Sequence, residues 1–386
     1  MKKILLILDG MADRKQELLD GKTPIEYANL ENLDALFSKS LSGCVQTIPD
    51  NEEAGSAVAN LNLLGFNTKK VYRGRAVIEA AGADIPIDKD SLYIRCNFIT
   101  LSGKSFETSK IESYSAHEIE TTDSIPLTNK LNEELFGEGF ELKNTGSFRN
   151  VLVCKDKTHL LGKLDFMPPH DIIGKNISDY MIENEDSKQY IDFMKSAYSV
   201  LKENNPTKAN AIWFWGVSCA PDFSVQNKDK KVILAETILM KGLANLMGAD
   251  KIVTSEDNGF KQFLEDKKQN AIKAVKSDYD FLYVHIQAPD DLSHELLPKE
   301  KSEALSLIDI HFLKGFLDGI KDEEFSLVVA SDHYTFSDDG SHGRQPAPFL
   351  LYNSKLDVRN KFNSFSEENC IRSNFNITPS QLHKKL

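Results

Sequence analysis

Carboxylates and imidazoles cluster in two short stretches of the C-terminal half: Asp290, Asp291 and His294 within Ala288–His294, and Asp332-His333 followed by His342. Such donor sets bind manganese, zinc, iron or cobalt, and magnesium less readily. Asp290 and His294 are four residues apart, so one helical turn puts both on one side, able to grip a single cation. Asp332 and His333 are adjacent and would point apart in regular structure, which suits two ions on either side of a strand tip. His342 follows the polar loop Asp338-Asp339-Gly340-Ser341 and can fold back, while Asp9 ends an apolar run at the other end of the chain. Together these side chains suffice for two divalent ions a few ångströms apart, the clamp that serves both the attacking and leaving oxygens in phosphoryl transfer. Singly they have plainer readings: Asp9-Gly10 as a turn and His294 as a polar loop residue. His285 and His311 are assigned to packing.

Ser56 is the candidate nucleophile. After Gly55 and before Ala57-Val58-Ala59, it reads as the start of a helix, where a serine commonly caps. The same helix end favours an anion, and a hydroxyl beside a cation loses its proton more readily and can attack phosphorus.

These groups need a scaffold that brings strand ends together. Phe281–Ile286 and Ser326–Ala330 are short, apolar, β-branched runs, as expected of buried parallel strands, and each precedes one of the two clusters. Ligands of an open α/β sheet bind beyond the carboxyl ends of its strands. Residues 3–8 form a first strand ending at Asp9, and further strands are expected at 211–215, 232–235 and 251–254, with an edge strand at 348–352. Leu305, Ile308, Phe312 and Phe316 mark one face of a long helix from about 300 to 320. Strand-like 93–101 and 151–154 lie in a stretch without βαβ alternation. The expected fold is therefore α/β, with a core from residues 1–90 and 206–386 and a smaller α+β unit inserted at 91–205.

The 386 residues exceed the size at which one core usually stops growing, consistent with two domains. A formal net charge of −12 without a basic run argues against nucleic acid as a partner. No apolar stretch approaches the roughly 20 residues of a membrane span. Five scattered cysteines without a Cys-x-x-Cys pair argue against a disulfide framework and a thiolate zinc site, and point to a reducing cytoplasm. ATP and NAD fingerprints are absent.

Several motifs in order carry a resemblance: Asp9-Gly10-Met11-Ala12-Asp13, Gly21-Lys22-Thr23-Pro24, Gly55-Ser56, Leu63-Leu64-Gly65-Phe66, Gly74-Arg75, Arg95-Cys96-Asn97-Phe98, and the C-terminal clusters. The chain resembles the archaeal-type 2,3-bisphosphoglycerate-independent phosphoglycerate mutases of the alkaline phosphatase superfamily over nearly its whole length. The resemblance implies an alkaline-phosphatase-like core with a mostly parallel sheet flanked by helices and an inserted lid. It further implies that Asp290, His294 and His342 hold one ion, and that Asp9, Asp332 and His333 hold the other with Ser56. Manganese is the favoured metal, with zinc, cobalt, iron or magnesium as alternatives. Ser56 would carry phosphate between the two hydroxyls of glycerate, making the substrate a small phosphorylated acid. Arg75 and Lys241 are expected to contact substrate.

The sequence departs from the family pattern at Ala57 and Ala12. Tyr114-Ser115-Ala116-His117, Phe148-Arg149-Asn150 and Pro168-Pro169-His170 resemble instead a bacterial subgroup proposed as a homoserine kinase substitute, adding His117, Arg149 and His170 to the expected substrate contacts. Phosphoryl transfer to such an amino-alcohol is the alternative reading, and a metal-binding module without catalysis is a second. Oligomeric state is left open.

Overall fold

The computed structural model describes residues 1–202, 205–221, 223 and 229–386. The chain divides into two compact units: Met1–Tyr72 with Phe223–Leu386, and Arg73–Asp222.

The first unit is built on an eight-stranded sheet in the order Asn376–Ile377, Leu41–Val45, Ala347–Asn353, Phe325–Ala330, Lys2–Leu8, Phe281–Ile286, Lys231–Leu234 and Asp250–Ile252. The last five of these run parallel. Phe281–Ile286 and Phe325–Ala330 are buried along their whole length, as continuous apolar runs covered on both faces must be. Each such Leu, Ile, Val or Phe contributes about 1.5–3 kcal/mol by leaving water. Ile7 lies opposite His285 on one side and Ala330 on the other, so all three strands finish at one edge. That register delivers Asp9, the turn into Ala288–His294, and Ser331-Asp332-His333 to the same place.

Residues 348–352 are not at an edge: Ala347–Asn353 pairs antiparallel with both Phe325–Ala330 and Leu41–Val45. The covering strand, Leu-Ser-Gly-Cys-Val, has too weak an apolar pattern to announce itself. The expected long helix runs from Pro298 to Gly319 but is interrupted by a π-helical turn, Ile308–Leu313. Leu305, Ile308, Phe312 and Phe316 are all buried. Within the π turn, buried Asp309 accepts from the backbone N–H groups of Asn32 (3.0 Å) and Leu33 (2.8 Å). It thereby satisfies free donors of the helix Glu31–Phe37, whose own N-cap side chain makes no capping bond.

The second unit carries a five-stranded antiparallel sheet centred on Leu92–Ser102, which pairs with Arg149–Cys154, Ala211–Cys219 and, at its far end, Lys110–Ser113. Phe140–Gly146 completes it beside Arg149–Cys154. Its core includes Phe98, Leu152, Met194, Trp213 and Phe214. The unit begins earlier and ends later in the chain than the sequence texture suggested: its limits are 72/73 and 222/223 rather than 90/91 and 205/206. Residues 211–215 had been expected in the core sheet, but they pair across from Leu92–Ser102, with Ala211 opposite Ile99. The helix Ala76–Gly82 packs on these same two strands. No helix among the described residues is long and apolar enough to cross a membrane.

Candidate active site

At the carboxyl edge of the parallel strands, ligand atoms from Asp9, Asp332 and His333 converge within 4.8 Å of one another, as do those from Asp290, His333 and His342. His333 belongs to both groups. His333 Nε2 lies 3.4 Å from both Asp9 Oδ1 and Asp332 Oδ2. Asp332 and His333 thus point together, contrary to the expectation from regular structure, because they sit in the irregular link between Phe325–Ala330 and Tyr334–Thr335. Asp332 is fixed by the Gly10 N–H (3.1 Å) and by Asn60 Nδ2 (2.9 Å).

Asp290 and His294 share one face of the helix Ala288–His294, with His294 Nε2 3.3 Å from Asp290 Oδ2. His342 Nε2 lies 3.1 Å from His294 Nε2 and 3.5 Å from Asp290 Oδ1. His342 is brought there by a two-residue ribbon in which it pairs with Thr335.

Ser56 is the first residue of the helix Ser56–Leu63, and Gly55 takes the N-cap position. The serine hydroxyl therefore does not cap. It lies 3.1 Å from His333 Nε2. Asn60, one turn on, donates to the Ser56 carbonyl as well as to Asp332, and Tyr283 Oη donates to Asn60, so the start of this helix is tied to the carboxylate cluster.

Electrostatics set this edge apart. Burial, with Asp332 and Asp290 nearby, pushes the Asp9 carboxyl well above the usual range. Burial also works to raise Asp290, but its bonds to His294 and His342 and the presence of His333 hold it well below that range. Burial lowers His333. The bond to Asp290 raises His294, and burial lifts Asp291 to about 6. Asp9 Oδ1 is buried without a hydrogen-bond partner. An unpaired carboxylate oxygen facing a second carboxylate and an imidazole is costly alone and suits a cation between them. The donor set fits divalent ions of the manganese or zinc type.

His285, which sequence periodicity had assigned to packing, belongs to this site: its Nε2 lies 2.9 Å from Asp9 Oδ2. Burial takes it down to about 4. Its place one residue from the end of a strand leading to Asp290 was the available signal. His311 instead pairs with Glu265 on the helix surface at 3.1 Å. Thr335, Asn60 and Gln287 were also missed, since nothing in their types marks them; Gln287 Nε2 donates to Asp290 Oδ2 at 3.1 Å.

Within the second unit, Arg75 donates to Glu79 (2.8 Å), which also pairs with Arg95 (3.0 Å). The Arg95 guanidinium stacks on Trp215 at 3.5 Å. The His170 ring packs edge-on against Trp215 and Tyr114, at 5.3 and 6.0 Å. Arg149 lies over Phe148, which itself packs on Tyr114. A chain of contacts thus runs from Arg75 through Glu79, Arg95 and Trp215 to His170, and on through Tyr114 and Phe148 to Arg149. His117 lies 3.3 Å from Glu112, in a left-handed turn where Ala116, His117 and Glu118 have φ of 49°, 58° and 56°. Non-glycine residues rarely adopt this conformation; here Ser113 and Ser115 hydroxyls accept from the His117 and Glu118 N–H groups. Lys241 lies on the helix Ile238–Met247 of the first unit and is in neither ligand group.

The fold is shared with known structures. The PH0037 protein of Pyrococcus horikoshii superposes with a TM-score of 0.79 at 25% identity, over 99% of this chain and 95% of that one. The cofactor-independent phosphoglycerate mutase of Thermoplasma acidophilum matches in fold, with a TM-score of 0.64 at 20% identity over 100% and 99%. Residues 38–206 match the family model described as 2,3-bisphosphoglycerate-independent phosphoglycerate mutase. The enzyme of that name from Methanosarcina barkeri is 31% identical over 98% of this chain and 96% of its own length. That from P. horikoshii is 32% identical over 91% and 87%. The chain belongs to the 2,3-bisphosphoglycerate-independent phosphoglycerate mutase family.

Proposed function

We propose that this protein interconverts 3-phosphoglycerate and 2-phosphoglycerate through phospho-Ser56. The observation that carries the proposal is the Ser56 hydroxyl, free of capping duty, placed 3.1 Å from the histidine common to both ligand groups. Asp9, Asp332 and His333 with Ser56 would hold one divalent ion, and Asp290, His294 and His342 the other, manganese being favoured. Such ions supply positive charge that eases loss of the serine proton and neutralises phosphoryl oxygens.

Ser56 Oγ attacks phosphorus, the bond from phosphorus to the C3 oxygen of glycerate breaks, and that oxygen takes a proton. The C2 hydroxyl of the same glycerate then attacks phospho-Ser56, loses its proton, and releases the serine oxygen. Net charge and atoms are unchanged over the cycle, as an isomerisation requires. The free N–H groups at the start of Ser56–Leu63 favour the phosphoryl group during its stay on the serine. By the family resemblance, Arg75, His117, Arg149, His170 and Lys241 would be the contacts for the glycerate carboxylate and phosphate. We infer a cytoplasmic location from this chemistry.

Ser56→Ala is expected to abolish both labelled phosphoenzyme and mutase turnover in Mn2+. Turnover by a folded S56A protein would sink the mechanism. Homoserine phosphorylation without mutase activity would move the acceptor to an amino-alcohol, and ion binding with neither reaction would leave a binding module.

A further inference from the structure

Thr335 was not singled out by sequence, yet it touches Asp290, His333 and His342. Its Oγ1 lies 2.6 Å from Asp290 Oδ1 and 3.0 Å from His333 Nδ1, and its backbone pairs with His342. The side chain is fully buried. Its backbone is pinned as well: the N–H donates to Ala12 O (3.0 Å) and the carbonyl accepts from buried Lys301 Nζ (3.0 Å). Gly10, at φ +57°, leaves the needed room, since a Cβ there would stand 2.4 Å from Thr335 Oγ1 and 2.6 Å from Asp290 Oδ1.

A threonine hydroxyl has one proton to donate and lone pairs to accept with. Asp290 can only accept while it is ionised, and its other oxygen faces Gln287 Nε2 and His294 Nε2 at 3.1 and 3.3 Å. The single Thr335 proton therefore goes to Asp290. What remains toward His333 is a lone pair, so His333 Nδ1 must be a nitrogen that carries a proton. Nε2 is the nitrogen directed at Ser56 Oγ, Asp9 and Asp332, and the one left to offer a lone pair to a cation there.

We propose that Thr335 is a positioning residue that fixes the tautomer of His333 and thereby readies Nε2 as an electron-pair donor to a divalent cation. The same hydroxyl ties His333 to Asp290, so the two ligand groups are built on one hydrogen-bond chain, Asp290–Thr335–His333. The tautomer assignment stands apart from the mutase reading; only the consequence for ion affinity rests on the proposed metal site.

The test is made on metal-free protein. Imidazole 15N chemical shifts near pH 7.5 are expected to show His333 protonated at Nδ1. Thr335→Val should abolish this preference, and Thr335→Ser should keep it. Calorimetric titration with Mn2+ should show binding weakened about ten- to a hundredfold in T335V, the usual effect of losing a residue that orients a ligand, and near wild type in T335S. A wild-type His333 with a bare Nδ1 overturns the proposal whether or not the variants fold. So does a folded T335V that retains both the wild-type tautomer and the wild-type Mn2+ affinity. Absence of mutase turnover in the wild type would reject the proposed reaction and leave the tautomer result standing.

Discussion

His285 Nε2 and Asp9 Oδ2 stand 2.9 Å apart, with both side chains sealed from solvent at 1% and 0% exposure. His285 Nδ1 is buried without a hydrogen-bond partner, a position tolerable for a bare lone pair and costly for an N–H. The ring therefore donates through Nε2, which holds Asp9 in one rotamer and leaves Oδ1 directed at His333. His285→Leu is expected to weaken Mn2+ binding about ten- to a hundredfold, with His285→Gln less affected because its amide can still donate. Titration of the metal-free variants checks this; an unchanged affinity in folded H285L would refute it.

Arg14 acts on the loop that carries His342. Its Nε contacts both carboxylate oxygens of Asp338 at 2.8 Å, and another guanidinium nitrogen reaches Asp339 at 2.8 Å, in the loop that leads to His342. These groups are about half exposed, so each pair is worth at most ~1 kcal/mol and is screened by salt. Arg14→Ala is expected to change unfolding free energy by less than about 1 kcal/mol while loosening His342. Mn2+ affinity should drop in the variant and lose some of its salt dependence. A drop in stability without a change in affinity would count against this role.

Glu79 is buried between Arg75 and Arg95 and orders both guanidiniums. Hydrogen bonds to charged groups are worth about 1.5–3 kcal/mol each. Glu79→Gln should raise the KM for 3-phosphoglycerate about tenfold with a smaller effect on kcat, because it frees Arg75 without touching Ser56. Steady-state kinetics would show this, and an unaltered KM would dissociate Arg75 from substrate.

Glu367 governs an expected pH dependence of stability. Burial lifts its carboxyl from 4.5 to about 7, against bonds from the Asp13 N–H and the Thr23 hydroxyl. The folded protein therefore holds a proton between these values that the unfolded chain has released. The stabilising contribution is complete below about pH 4.5 and is lost as pH rises through 7, a change of about 3 kcal/mol. Gln at this position can accept from Asp13 N–H and donate to Thr23. Urea unfolding of wild type and E367Q at pH 5 and pH 8 should show the stability difference shifting in favour of the variant at the higher pH. Parallel pH profiles would remove Glu367 from the account.

The local sequence was sufficient to find Asp290 with His294 and Asp332 with His333, because donor residues placed just beyond apolar strands stand out at short range. The strands themselves were equally legible at 281–286 and 326–330, where a continuous apolar run leaves little alternative to burial on both faces. The motif order also pointed to the family. Contacts between distant segments were a different matter. Only the parallel register of three strands puts Asp9 beside residues more than 270 positions away and turns His285 from an interior strand residue into its hydrogen-bond partner. Likewise, a strand was recognisable at 211–215, but which sheet it joins depends on the ladder of Ala211–Cys219 with Leu92–Ser102. The sequence by itself determined which groups could bind a cation or attack phosphorus. The tertiary structure decided which of their atoms meet, since hydrogen-bond direction and ligand geometry are properties of pairs that only the folded backbone brings within a few ångströms.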